Sequence, residues 1–212
     1  MAYTPWLYYY QTGGTVAASG DMTSPHTFTP DTANTGWIYY ESATANGAQE
    51  GTGGFAVTAL GAVEVGQAKP ADYQCREAFL AFDTSGIPDG ATISSAVLEL
   101  YGWYDNSTTD FTLQARTYDF GATLENADYR SDSQLGALTL LASIASSAMS
   151  FGAYNTLTES GTALRDAINK TGVTRILFCS DRHVAGTDQT GDEYVAFYTT
   201  VTQPAKLTVT WT

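Results

Sequence analysis

The sequence is short of charge, and shorter still of positive charge. Asp, Glu, Lys and Arg make up 15% of its 212 residues, only 9 are Lys or Arg, and the formal net charge is −13. An average soluble chain is nearer 25% charged, and helical surfaces use Lys and Glu freely, so a helix-rich architecture is disfavoured. So negative a chain repels phosphate backbones at most approaches, which argues against nucleic acid as a partner. Histidine and cysteine are as scarce, at two each. The chain has no HExxH or CxxC metal or redox motif, no G-x-S-x-G elbow and no Walker loop. Long apolar runs are missing too: the least polar stretch, residues 135–149, is too short and too rich in Ser to cross a bilayer. The start, MAYTPWLYYYQ, has neither a basic n-region nor a continuous apolar h-region, so no secretory signal and no membrane segment are expected.

What is plentiful is Thr, Gly, Ala and above all Tyr, with 14 Tyr, 9 Phe and 4 Trp. Such a composition favours sheet. The length suits one β-domain, residues 21–212, preceded by an aromatic arm over 1–20 that ends in a Gly- and Ala-rich hinge. Period-two alternation marks the strands. In residues 76–82 Ala78, Leu80 and Phe82 oppose Glu77, Phe79 and Ala81, apolar on both sides; in 97–104 Val97, Glu99, Tyr101 and Trp103 oppose Leu98, Leu100, Gly102 and Tyr104. Between them Pro88 and Asp89-Gly90 supply turn chemistry. Further strands are expected over 37–41, over 55–65 with a bulge at Gly61, and over 111–118, 135–144, 173–180, 194–201 and 206–211; 119–133 reads as loop. One short helix is expected near 159–170, capped by Thr158 or Ser160 and stopped at Gly172. The fold class that follows is all-β, an antiparallel sandwich with that helix at one end.

The run REAFLAFDTSGIPDGATISSAVLELY, from Arg76, resembles the signature of DNRLRE-type domains, and the ending QPAKLTVTW is similar, more weakly, to that family's terminal strand. The resemblance implies a jelly roll like that of carbohydrate-binding modules, found in secreted enzymes and in phage virion proteins. On it rests the expectation of a non-enzymatic virion structural protein, a capsid decoration or stabilisation protein or a tail-fibre component. Such a protein would be made in the host cytoplasm and carried on the particle's outer surface, which its negative charge also favours. Its partners would be other virion proteins or copies of itself, as in a symmetric trimer. The competing expectation is a carbohydrate-binding module or adhesin.

Candidate site residues follow from the aromatics, because Tyr and Trp serve both protein interfaces and sugar stacking. Tyr3, Trp6, Tyr8 and Tyr10 in the arm are candidates for partner docking; Trp37, Tyr39 and Tyr40 are candidates for glycan contact; Trp103 and Trp211 are expected in the core. No catalytic residue is assigned. His26 lies in a loop-like stretch, and His183 follows Ser180, Asp181 and Arg182 too closely in sequence for a nucleophile and base to meet. Asp188, Asp192 and Glu193 offer oxygen ligands that suit calcium, but without EF-hand spacing and its Gly; the preferred reading of the loop is plain acidic surface. Cys75 and Cys179 are either a disulfide or two buried thiols.

Overall fold

The computed structural model describes residues 22–58 and 61–212, so the arm expected over 1–20 lies outside the described residues. Every strand pairing described is antiparallel, and the strands form two layers of one curled sheet. The first layer runs β1 (His26–Phe28), β13 (Lys206–Trp211), β6 (Ile93–Asp105), β12 (Glu193–Tyr198) and β4 (Ala62–Ala68), with β9 (Tyr154–Thr156) also on β6. The second runs β5 (Tyr73–Asp83), β11 (Val173–Ser180), β7 (Thr112–Thr117), β8 (Leu140–Ala145) and β10 (Thr158–Glu159). On its other edge β5 carries β2 (Gly36–Ser42), which in turn carries β3 (Phe55–Thr58).

Strand β5 turns one layer into the other. Gln74, Cys75 and Arg76 pair with β4, whereas Ala78 to Asp83 pair with β11 along the same edge. Its two apolar faces are both used. Ala78, Leu80 and Phe82 join the main core between the layers, with Val65, Leu98, Leu100, Phe178, Phe197, Leu207 and Trp211. Cys75, Phe79 and Ala81 face a second cluster with Ile38, Tyr129, Leu135, Leu177 and Cys179 on the back of the second layer. Each large apolar side chain so buried contributes roughly 2 kcal/mol. Both cysteines are buried free thiols.

The second cluster is roofed by single helical turns that no period could reveal. Helices α1 (Ala45–Gln49), α2 (Asp132–Ala137) and α4 (Asp181–Val184) join the expected α3 (Ala163–Asp166), which is shorter than the 159–170 reading and follows Thr162. Turns this short are held by their caps and the sheet beneath rather than by propensity. Thr44 Oγ1 accepts from Gly47 N–H at 3.1 Å, Ser180 Oγ accepts from Arg182 N–H at 3.1 Å, and Ser131 with Gln134 forms a capping box.

Three strand expectations change accordingly. Residues 135–144 divide between α2 and β8, because a capping box claims the first half. Residues 55–65 are two strands with different partners, β3 on β2 and β4 on β5 and β12, so Gly61 marks a connection and not a bulge. His26 opens strand β1 and is no loop residue. Trp211 is in the core as expected; Trp103 is not, being 46% exposed. Among the described residues no helix is long and apolar enough to cross a membrane.

Candidate functional site

A chain of ring contacts crosses the molecule at right angles to the strands. It begins where the Lys206 ammonium lies 3.6 Å from the centre of the Tyr154 ring. From there centroid separations are 5.1 Å to Tyr101, 5.9 Å on to Tyr198, 5.3 Å to Trp103, 4.8 Å to Tyr104 and 6.0 Å to Tyr194. The Arg76 guanidinium carries the chain onward, 4.1 Å over Tyr194 and 5.6 Å over Trp37. Trp37 to Tyr39 at 5.5 Å and Tyr39 to Phe55 at 5.4 Å complete it. The ring–ring separations fall in the range where rings attract one another, and the Lys206 and Arg76 distances in that of cation–π contact.

Strand register sets the band. Tyr101 is the direct cross-strand partner of both Tyr154 and Tyr198, and Tyr39 that of both Arg76 and Phe55. Trp103 continues the outward alternation of Val97, Glu99 and Tyr101, and a bulge follows it. Gly102 pairs with Phe197 and Tyr104 with Ala196, which leaves Trp103 unpaired between them. The extra residue brings the Tyr104 ring beside Trp103 instead of beneath it, so the simple alternation read from the sequence ends there. Trp103 and Phe55, 46% and 57% exposed, are the open rings; the other rings of the band are half-buried.

Polar groups tie the middle of the band down. Arg76 donates to Glu64 at 2.5 Å and to Gln74 Oε1 at 2.8 Å. The Tyr104 hydroxyl donates to the other Glu64 oxygen; burial first, and then that carboxylate, raise its pKa, so it stays a donor. Tyr194 accepts from Asn106 Nδ2 at 2.9 Å, and Tyr101 donates to the Gly152 carbonyl at 2.6 Å. The rings are therefore held in fixed orientation and need little ordering when something stacks on them.

Of the residues singled out from sequence, Trp37 and Tyr39 lie in the band. Tyr40 points the other way and packs on Tyr129 at 5.5 Å in the second cluster, because neighbours on a strand face opposite sides. Tyr3, Trp6, Tyr8 and Tyr10 fall outside the described residues. Asp188, Asp192 and Glu193 do not converge on a cation. Glu193 is buried against Arg182 at 2.6 Å, Asp192 accepts from Lys69 N–H at 2.9 Å and from Asn106 at 3.2 Å, and Asp188 is exposed. Among the described residues no three His, Cys, Asp or Glu side chains are grouped to hold a metal.

A second polar constellation, unseen in the sequence, lies beneath the helical roof. Glu77 and His183 are both fully buried, with Glu77 Oε1 and His183 Nδ1 facing each other at 3.7 Å. Glu77 Oε2 accepts from Arg130 N–H at 3.1 Å. His183 Nε2 meets the Gln49 carbonyl at 3.2 Å, and Tyr129 donates to the Ala48 carbonyl at 2.6 Å. Burial pushes the Glu77 carboxyl well up and the His183 imidazole down to about 4, so the pair is neutral. Burial likewise raises the Cys75 and Cys179 thiols, so neither is a thiolate nucleophile. Enclosed on every side, the group fastens the roof to the sheet. The alternation in residues 76–82 already put Glu77 among apolar neighbours, and an acid so placed requires a buried partner.

A shallow recess of about 420 Å³ between β7 and α3 is lined by Thr117, Thr139, Ser160, Thr162 and Asp166. Asp166 accepts from the Thr162 hydroxyl at 2.5 Å, and no histidine, cysteine or second carboxylate lines the recess among the described residues. No family model and no curated protein matches the chain.

Proposed function

We propose that this protein is a non-enzymatic β-sandwich that binds glycans through its outer aromatic band. The observation that carries the reading is the succession of rings from Tyr154 to Tyr194 and from Trp37 to Phe55, joined through the Arg76 guanidinium and opening to solvent at Trp103 and Phe55. The C–H face of a pyranose packs on an aromatic ring much as a second ring would, while its hydroxyls stay in water or meet polar groups at the rim. Rings held by Glu64, Asn106 and the Gly152 carbonyl offer that surface already organised. A protein-docking patch would carry aliphatic residues as well, and of these Val97 alone is both on β6 and open.

The test is native affinity electrophoresis in gels containing polysaccharide, comparing the parent with Trp103→Ala and Tyr198→Ala. Retardation by at least one polysaccharide, lost in Trp103→Ala, is the expected result. Equal retardation of parent and variants would overturn the reading. So would a change in oligomeric state on Trp103→Ala, seen by light scattering, because the band would then be a subunit interface.

The setting proposed for this activity is the outer surface of a phage particle, as a decoration or tail-fibre component. Support comes from the DNRLRE-like run that begins at Arg76 and from the net charge of −13, which suits a surface kept away from packaged genome. Attachment of the tagged protein to purified particles, with and without residues 1–12, tests it: loss of attachment on removing the arm is expected, and no attachment of the intact protein would sink it.

A further inference from the structure

We infer that the ligand of the band is an electrically neutral polysaccharide, laid across the strands and read over its length, not a charged glycan or a terminal sugar. This rests on the glycan-binding reading and adds charge, direction and reach to it.

Charge comes first. Two cations belong to the band: Arg76 is committed within it, and Lys206 stands at one end, on the Tyr154 ring. Arg76 is 9% exposed, spends two of its donors on Glu64 and Gln74, and stacks on Tyr194. Lys206 lies against the Tyr154 ring and directly opposite Glu99 on the neighbouring strand. Around them stand Glu64, Glu99 and Asp105, in a molecule of net charge −13. A uronate or sulfate placed along these rings would meet like charge, with the Arg76 guanidinium already paired and the Lys206 ammonium confined to the Tyr154 end. A neutral sugar chain meets no such penalty.

Direction and reach follow from the topology. The rings sit on β9, β6, β12, β2 and β3, joined through Arg76 on β5, and with β4 between β12 and β5 the band crosses six inter-strand steps. At about 4.8 Å a step this is roughly 29 Å, several times the width of one sugar ring. Its most open rings are far apart: Trp103 lies on the β6–β12 part and Phe55 at the far end on β3. A single terminal sugar would cover one of them. Only a chain running along the band covers both, and each ring reached then adds its share without a new cost of association.

The experiment is titration calorimetry with neutral β-linked glucose and xylose oligosaccharides from dimer to octamer, beside gel retardation by hydroxyethyl cellulose, xylan, polygalacturonate and alginate. Affinity is expected to rise about tenfold or more from dimer to hexamer and to be insensitive to salt, with the anionic polymers bound more weakly than the neutral ones. The double variant Tyr39→Ala/Phe55→Ala, at the end remote from Trp103, should keep dimer binding and lose the gain with length. Affinity that saturates at the dimer, or stronger retention by polygalacturonate or alginate, would overturn the inference while leaving the glycan-binding reading intact. No binding by any of these probes would overturn both.

Discussion

Two regions of this molecule are rich in tyrosine and use it in opposite ways. In the outer band the rings touch in tilted and T-shaped pairs, within and across strands, and open to water at Trp103 and Phe55, about half exposed. Beneath the roof of α1, α2 and α4, Tyr129 is buried, packs on Tyr40 and stacks near His183 at 5.8 Å, and donates its hydroxyl to a backbone carbonyl. The first arrangement leaves interaction energy unspent at the surface; the second uses it to fasten helical turns that could not stand alone. A substitution in one region should alter binding and spare stability, and a substitution in the other should do the reverse.

The largest expected effect is on the roofed side. Phe79, wholly buried against Tyr118 and Phe120, should cost about 3–5 kcal/mol on replacement by Ala, read as a shift in the denaturant midpoint. Next comes the pH dependence of the Glu77 and His183 pair. His183 has a folded pKa of about 4, below its unfolded value, so the unfolded chain takes up the proton first and stability falls as pH drops from about 6.5 to 4. Replacing His183 by Gln should flatten that acid limb of the thermal midpoint. Glu77 works the other way. Its folded pKa is raised, so its contribution is full below about 4.5 and is lost as pH rises beyond that. Glu77→Gln should therefore gain on the parent as pH rises above about 4.5, and parallel curves would refute the neutral pair.

Smaller still, Tyr129→Phe removes one buried hydrogen bond to the Ala48 carbonyl and should cost about 1–2 kcal/mol, without touching polysaccharide retention. Smallest in stability is Trp103→Ala, expected within about 0.5 kcal/mol of the parent because the side chain is half in solvent, although it should abolish retention. A Trp103→Ala protein that unfolds as readily as Phe79→Ala would erase the distinction between the two regions.

How much of this was legible beforehand depends on how local the cause was. Strand β5 could be read with its two buried faces, since Ala78, Leu80 and Phe82 against Phe79 and Ala81 is a pattern of period two and needs no partner to be recognised. Trp37 and Tyr39 stand on one side of β2 by the same period, which the sequence reading did not apply to them. Tyr40 was grouped with them by adjacency in the chain, although the same period sends it to the opposite face. The helical turns were not legible. Each is one turn long, and its stability comes from a cap and from the sheet it rests on.

Trp103 and His183 show the limit most clearly. Alternation assigned Trp103 a side of its strand, but which side is core was decided by the second layer, whose Leu80, Phe82 and Phe178 pack against Leu98 and Leu100 and leave the Trp103 face to solvent. His183 stands 106 positions from Glu77 in sequence, and only the pairing of β11 with β5 and the turn of α4 set them 3.7 Å apart. The sequence alone determined an all-β chain, acidic and overstocked with tyrosine, because composition and a period of two are properties of single strands. The tertiary structure decided which of those rings would meet water and which acid would be shut away with a histidine, because burial is settled by the neighbours that folding brings from far along the chain.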